Sequence, residues 1–207
     1  MWNEPRRGRG VSRWARHGRR AALAPGGFTI VELLVVLTVV GILLGMARPH
    51  IDLAGFRIRA GVQQVGTTLL AAQRLAIKRQ HNVVVAFDES RGLIRIHEDA
   101  DNDGAMDAGE AVRWVELGDE LAFGRAGAAA RPMGEDAVNY TKTQAGLPAV
   151  TFHRNGSVSE EGGFYITSRR ALATQLHPGD THAVEIERST GRVTWFRYEG
   201  SSWRRGF

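Results

Sequence analysis

Cysteine is missing from all 207 residues, which excludes a disulfide framework, a thiolate zinc site, a cysteine nucleophile and a lipid anchor on cysteine. Several common catalytic patterns are missing too: there is no Gly-x-Ser-x-Gly elbow, no His-Glu-x-x-His pair and no phosphate-binding glycine loop. His50, His81, His97, His153, His177 and His182 are scattered without ligand spacing, which fits surface or hydrogen-bonded structural histidines better than catalytic ones. An enzyme is not expected, and no cofactor is required. Acids are nearly absent from the first 27 residues, where Glu4 stands alone against Arg6, Arg7, Arg9, Arg13, Arg16, Arg19 and Arg20. Without that segment the chain has 20 Lys and Arg against 21 Asp and Glu, so the overall charge of +5 belongs to the N-terminus. The remainder is near neutral and carries no general basic signature for nucleic acid.

Charge is also scarce in the next stretch. Residues 28–47, FTIVELLVVLTVVGILLGMA, hold one ionisable side chain, Glu32. As a helix, 20 residues reach about 30 Å, the thickness of a bilayer's hydrocarbon core. Seven arginines before the run and few basic residues just after it predict a single pass with residues 1–27 cytoplasmic and the C-terminal part translocated. A secretory signal peptide shares the basic-then-apolar order, and a secreted calcium-binding domain released by signal peptidase is the corresponding alternative. Two features oppose it. Gly45-Met46-Ala47 leads into Arg48-Pro49 and a further helical pattern rather than a cleavage site. A carboxylate also costs about 2.5–3.5 kcal/mol at mid-membrane, less near the interface.

Beyond Pro49, which removes a backbone donor and should kink or loosen the helix, Ile51, Ala54, Ile58, Val62, Val65, Leu69, Ala72 and Ala76 recur at spacings of three and four. This stripe predicts a helix that buries one face, and the whole segment reads as one long helix over 28–79. After His81 the pattern becomes strand-like, over 82–87, 93–97, 111–117, 149–153, 164–168, 183–188 and 192–198. Turns are expected at 88–92 and at Ser189-Thr190-Gly191, and a long mobile loop over 124–147, where Gly, Ala and Pro accumulate without a period. A leading helix followed by an antiparallel sheet is an α+β plan.

The junction Gly27-Phe28-Thr29-Ile30-Val31-Glu32 and the apolar run after it resemble the prepilin motif of type IV pilins and type II secretion pseudopilins. The resemblance implies that a membrane prepilin peptidase cuts between Gly27 and Phe28 and N-methylates Phe28. A leader over 1–27 would be lost, and a helix over 28–80, membrane-embedded over 28–47, would be kept on a periplasmic sheet domain over 81–207. Cutting there creates an ammonium at Phe28, and Glu32 can pair with the terminal ammonium of an adjacent subunit, offsetting the desolvation of both charges.

The acidic strand connection ending in Asp107-Ala108-Gly109-Glu110, the Thr151-Phe152-His153-Arg154-Asn155-Gly156 segment and the hairpin Ser189-Thr190-Gly191-Arg192-Val193 resemble the GspH/FimT type of minor pseudopilin or minor pilin. That resemblance implies an inner-membrane subunit of a type II secretion pseudopilus or related fibre, at or near its tip. Its partners would be the prepilin peptidase, membrane lipid and other pilin-like subunits. The alternative is a FimT-like minor type IV pilin that binds DNA during transformation.

Two further motifs offer chemistry. Asp99, Asp101, Asp103, Asp107 and Glu110, with the Ala105 carbonyl and Gly104 at the tight turn, match the spacing of an EF-hand calcium loop, although the flanks read as strands and a solvated hairpin loop has the same composition. Arg188, Arg192, Arg197, Arg204 and Arg205 interleave with Trp195, Phe196, Tyr198 and Trp203, a composition that can hold phosphates and stack on bases. Arg192 and Arg197 are the candidate nucleic-acid contacts. DNA-binding FimT-like pilins carry a Gly-Arg-x-Arg tip, whereas here Gly191-Arg192-Val193-Thr194 lacks the second arginine. Nucleic acid is therefore not the expected partner, and the aromatics read as alternating residues of an edge strand.

Overall fold

The structure, a computed structural model, describes residues 27–47 and 53–206. The chain divides into two compact units, Met1–His50 and Ile51–Phe207. In the first, helix α1 spans Ile30–Ala47. At 18 residues it is about 27 Å long and two residues shorter than the expected apolar segment, because Phe28 and Thr29 stay outside the helix. Among the described residues no helix is long and apolar enough to cross a membrane. The expected continuity of one helix through Pro49 lies outside the described residues, as does the leader over 1–26.

The second unit opens with α2, Leu53–Arg79. Its stripe behaves as the spacing predicts: Ile58, Val62, Val65, Leu69, Ala72 and Ala76 are at most 2% exposed. They pack against two antiparallel sheets. The first comprises β1 (Asn82–Asp88), β2 (Leu93–Asp99), β3 (Val112–Glu116), β6 (Thr143–Gln144) and β7 (Leu147–Phe152), in the order β3-β2-β1-β7-β6. The second comprises β4 (Leu121–Phe123), β8 (Gly162–Ser168), β9 (His182–Ile186), β10 (Val193–Tyr198) and β11 (Trp203–Arg205), in the order β11-β10-β9-β8-β4, with β5 (Val138–Asn139) also paired to β8. A short helix α3, Arg169–Thr174, follows β8 with Ser168 as its N-cap.

Alternation along the strands sends Val83, Val85 and Phe87 of β1 and Ile94 and Ile96 of β2 inward, where they meet Val150, Phe152, Phe164, Ile166, Val184 and Ile186 in one core with the α2 stripe. Burial of each such side chain stabilises by about 1.5–3 kcal/mol. Phe87 sits at the centre, its ring 4.7 Å from Phe164, 5.4 Å from Tyr140 and 6.0 Å from Phe123. Close approach of α2 to the second sheet depends on Gly66, where a Cβ would stand 2.5 Å from the Trp195 indole.

Two expectations are corrected. The segment 124–147 is not a structureless loop: it contains β5 and β6 and buries Ala126, Ala128, Val138 and Tyr140. It lacks hydrophobic periodicity because side-chain-to-backbone hydrogen bonds hold much of it, among them Arg125 Nη1 to Ala128 O (2.9 Å), Tyr165 Oη to Gly134 O (2.8 Å) and Arg131 N to Tyr165 Oη (2.8 Å). Second, β10 is not an edge strand, since β11 pairs along its outer side in the register Phe196 to Arg205, Arg197 to Arg204 and Tyr198 to Trp203.

Candidate functional site

The start of α1 is built from Thr29. Its carbonyl accepts from Leu33 N (3.1 Å) and its Oγ1 accepts from Glu32 N (3.1 Å), so Thr29 is the N-cap. Thr29-Ile30-Val31-Glu32 has the Thr-x-x-Glu spacing of a capping box, and Glu32 lies at the positive end of the helix dipole. This capping role is carried by four consecutive residues and is separate from the assembly role expected of Glu32. Residues 27–45 are all exposed, Phe28 at 82%, and the apolar side chains continue around the whole helix. Among the described residues no ion pair reaches the Glu32 carboxylate. A Cβ added at Gly27 meets no described atom within 4 Å. Crowding by described atoms does not explain why this position is glycine.

The acidic loop joins β2 to β3. Of its five candidate ligands, Asp99, Asp101 and Asp103 come together, with one carboxylate oxygen from each within 4.8 Å of the others. Asp107 and Glu110 are not in that group. Glu110 instead closes the loop, accepting from Ala100 N (2.8 Å) and Asp107 N (3.0 Å) and meeting His97 Nε2 at 2.6 Å. The Asp107 N–H, the His97 ring and the Ala100 N–H hold its carboxyl at about 2, well below the usual carboxylate range.

His97 belongs to a buried polar layer on the outer face of the first sheet that sequence reasoning missed. Gln144 Nε2 donates to His97 Nδ1 (3.0 Å) and to Gly104 O (2.8 Å), while Gln144 O and Oε1 accept from Arg95 Nη2 at 2.8 and 3.1 Å. This network sets His97 Nδ1 as acceptor and Nε2 as the donor to Glu110. The available signal was alternation: Arg95, His97 and Asp99 share the face opposite Ile94 and Ile96, yet are buried because β6 and the acidic loop cover them. His81 and His153 also make hydrogen bonds, and His182 meets Asp180 O, in keeping with structural roles.

The C-terminal basic cluster is distributed. Trp195 faces α2, whereas Phe196, Tyr198 and Trp203 meet on the outer side of the second sheet. There the Arg131 guanidinium lies 3.5 Å from the Phe196 ring centre and 5.8 Å from that of Trp203, and pairs with Glu185. Trp203 Nε1 donates to Ala129 O (3.0 Å), so these aromatics fasten 124–137 to the sheet. Arg192 and Arg197, five residues apart, do not share a strand face. Arg192 lies 3.4 Å from Glu187, and with Arg205 it lines a cavity of about 570 Å³ that also contains Glu161 and Glu185. Arg197 is exposed opposite His182 and Arg204. The Asn155-Gly156 turn and the 189–191 hairpin are bridged by Gln73 of α2, whose Nε2 donates to Gly156 O (2.9 Å) and Thr190 O (2.8 Å).

The prokaryotic N-terminal methylation motif matches residues 25–47. The match takes in Gly27, Phe28, Glu32 and the whole of α1, and it indicates a type IV pilin-like, prepilin-type protein. Such a motif is a substrate signal for prepilin peptidase and for pilin assembly, and it points to a membrane-anchored structural subunit of a fibre. No curated protein and no solved structure matches the chain.

Proposed function

We propose that the chain is a minor pseudopilin of the GspH/FimT type in a type II protein secretion system, a non-enzymatic subunit that helps initiate or cap the periplasmic pseudopilus. The observation that carries this reading is the pairing of Gly27, a glycine not required by its described neighbours, with an exposed apolar helix whose one acid lacks an ion-pair partner among the described residues. Cleavage after Gly27 leaves Phe28 as the N-terminus for methylation. Residues 28–47 anchor the chain in the inner membrane. Glu32 then neutralises the terminal ammonium of a neighbouring subunit inside the bundle. The second unit, with α2 as its spine, is displayed in the periplasm. Arg192 is opposed by Glu187, and Arg131 already covers Phe196, which favours protein assembly over the FimT-like, DNA-binding alternative.

Mass spectrometry of the chain isolated from membranes tests the processing. The expected product begins at a methylated Phe28, and Gly27→Val should accumulate with its leader attached. Because an added side chain at position 27 meets no described atom, accumulation reports on cleavage rather than misfolding of the described units. Wild-type chain beginning at Met1, or truncated beyond Ala47, refutes the assignment. Strong, salt-sensitive retardation of DNA by the purified protein would move the function to the alternative.

A further inference from the structure

Among the described residues the second unit has a carboxylate that its own fold leaves unfinished. Asp99, the last residue of β2, is 1% exposed and is held in the ladder opposite Asn82. Its Oδ2 accepts from Gly104 N at 3.2 Å, but its Oδ1 is buried with no hydrogen-bond partner. A buried carboxylate oxygen without a donor is costly unless a charge completes it. No arginine, lysine or histidine among the described residues forms an ion pair with Asp99, Asp101 or Asp103. Three carboxylates with oxygens within 4.8 Å of one another repel each other in the absence of a cation.

We propose that Asp99, Asp101 and Asp103 bind one calcium ion in the β2–β3 loop. The donor set is oxygen only, which suits a hard divalent cation and not zinc or copper. The arrangement departs from an EF-hand in two ways: strands flank the loop, and the acid at the twelfth position, Glu110, serves as a clasp on His97 and the loop backbone rather than as a ligand. Backbone carbonyls and water complete the coordination that calcium requires. The cradle is set from outside the loop as well. Asn102 Oδ1 accepts from Asn82 N (2.8 Å), and Gly104 O accepts from Gln144 Nε2. With Asp99 fixed in the sheet and the loop tied to β1 and β6, the ion would lock the connection on the outer face of the first sheet. This site is independent of leader cleavage.

Isothermal titration of the full chain in detergent micelles, stripped with chelator, tests the proposal with calcium chloride as the probe. One ion per chain is expected, with a Kd on the order of 10⁻⁴–10⁻³ M, typical of extracellular modules. Asp101→Asn with Asp103→Asn changes two exposed side chains and should weaken uptake at least tenfold while the circular dichroism stays that of the parent. Asp107→Asn, outside the group, should leave it unchanged. Absence of uptake at 10-fold the expected Kd, equal loss on Asp107→Asn, retained uptake in the double variant, or equally tight magnesium binding overturns the assignment.

Discussion

Replacing Trp195 by alanine tests the joint between α2 and the second sheet, because the indole lies over a glycine. Trp195 is 8% exposed, and truncating a buried tryptophan costs about 3–5 kcal/mol. Gly66→Ala has two opposed effects. Helix propensity favours alanine by about 1 kcal/mol in a helix interior. The new Cβ, however, would stand 2.5 and 3.0 Å from two indole carbons, and overpacking of that kind costs about 1–3 kcal/mol. Alone, the substitution should therefore be neutral or destabilise by up to about 2 kcal/mol. In the Trp195→Ala background the clash is gone, so Gly66→Ala should stabilise by about 1 kcal/mol. The coupling between the sites is then about 1–3 kcal/mol. Urea unfolding of the four proteins, followed by circular dichroism at the helix band, measures the cycle. Additivity within about 0.5 kcal/mol would mean that the two residues do not share the space assigned to them, and the account of how α2 docks would be wrong.

Glu32→Gln keeps the backbone bond to Thr29 Oγ1 and removes the charge, so it should lose only about 0.3–1 kcal/mol of dipole interaction in the helix; its processing should continue while co-purification with other fibre subunits drops severalfold. Wild-type incorporation of this variant would remove the assembly role of the carboxylate. Asp88, at the end of β1, is held at about 2 chiefly by the Ser90 hydroxyl, with the Arg91 guanidinium and N–H assisting against the effect of burial. Its folded pKa lies below the ordinary 3.8, so its contribution is present above pH 4 and is lost as pH falls toward 2. The stability gap between the parent and Asp88→Asn should narrow across that window, and a gap that stays constant from pH 6 to pH 2 contradicts it.

Much of the plan was written in short-range patterns. The Ile58 to Ala76 stripe, the β1 to β2 hairpin and the strands around 149–152, 164–168, 183–186 and 193–198 follow from periods of 3.6 and 2, which a sequence displays directly. Gly27, Phe28 and Glu32 are equally local, because the N-terminal methylation motif and a helix cap are both defined by neighbouring residues. What local patterns concealed was every feature made by a covering segment. Arg95 and His97 look like solvent-facing residues of β2, and only the return of Gln144 across them makes that face a buried polar layer. Phe196 and Trp203 look free to stack on bases, and only the fold sets Arg131 against them from a segment whose composition suggests a mobile loop.

The sequence by itself thus determined the prepilin-type N-terminus, the α2 spine and the antiparallel character of the strands after α2, since these depend on residues within a few positions of each other. The tertiary structure alone decided which carboxylates of the acidic loop converge and which one turns away. Asp99, Asp101 and Asp103 meet and Glu110 does not, because His97, 13 residues earlier, takes Glu110. Regular spacing proposes a set of ligands, but the hydrogen-bond partners that each carboxylate finds across the sheet select among them.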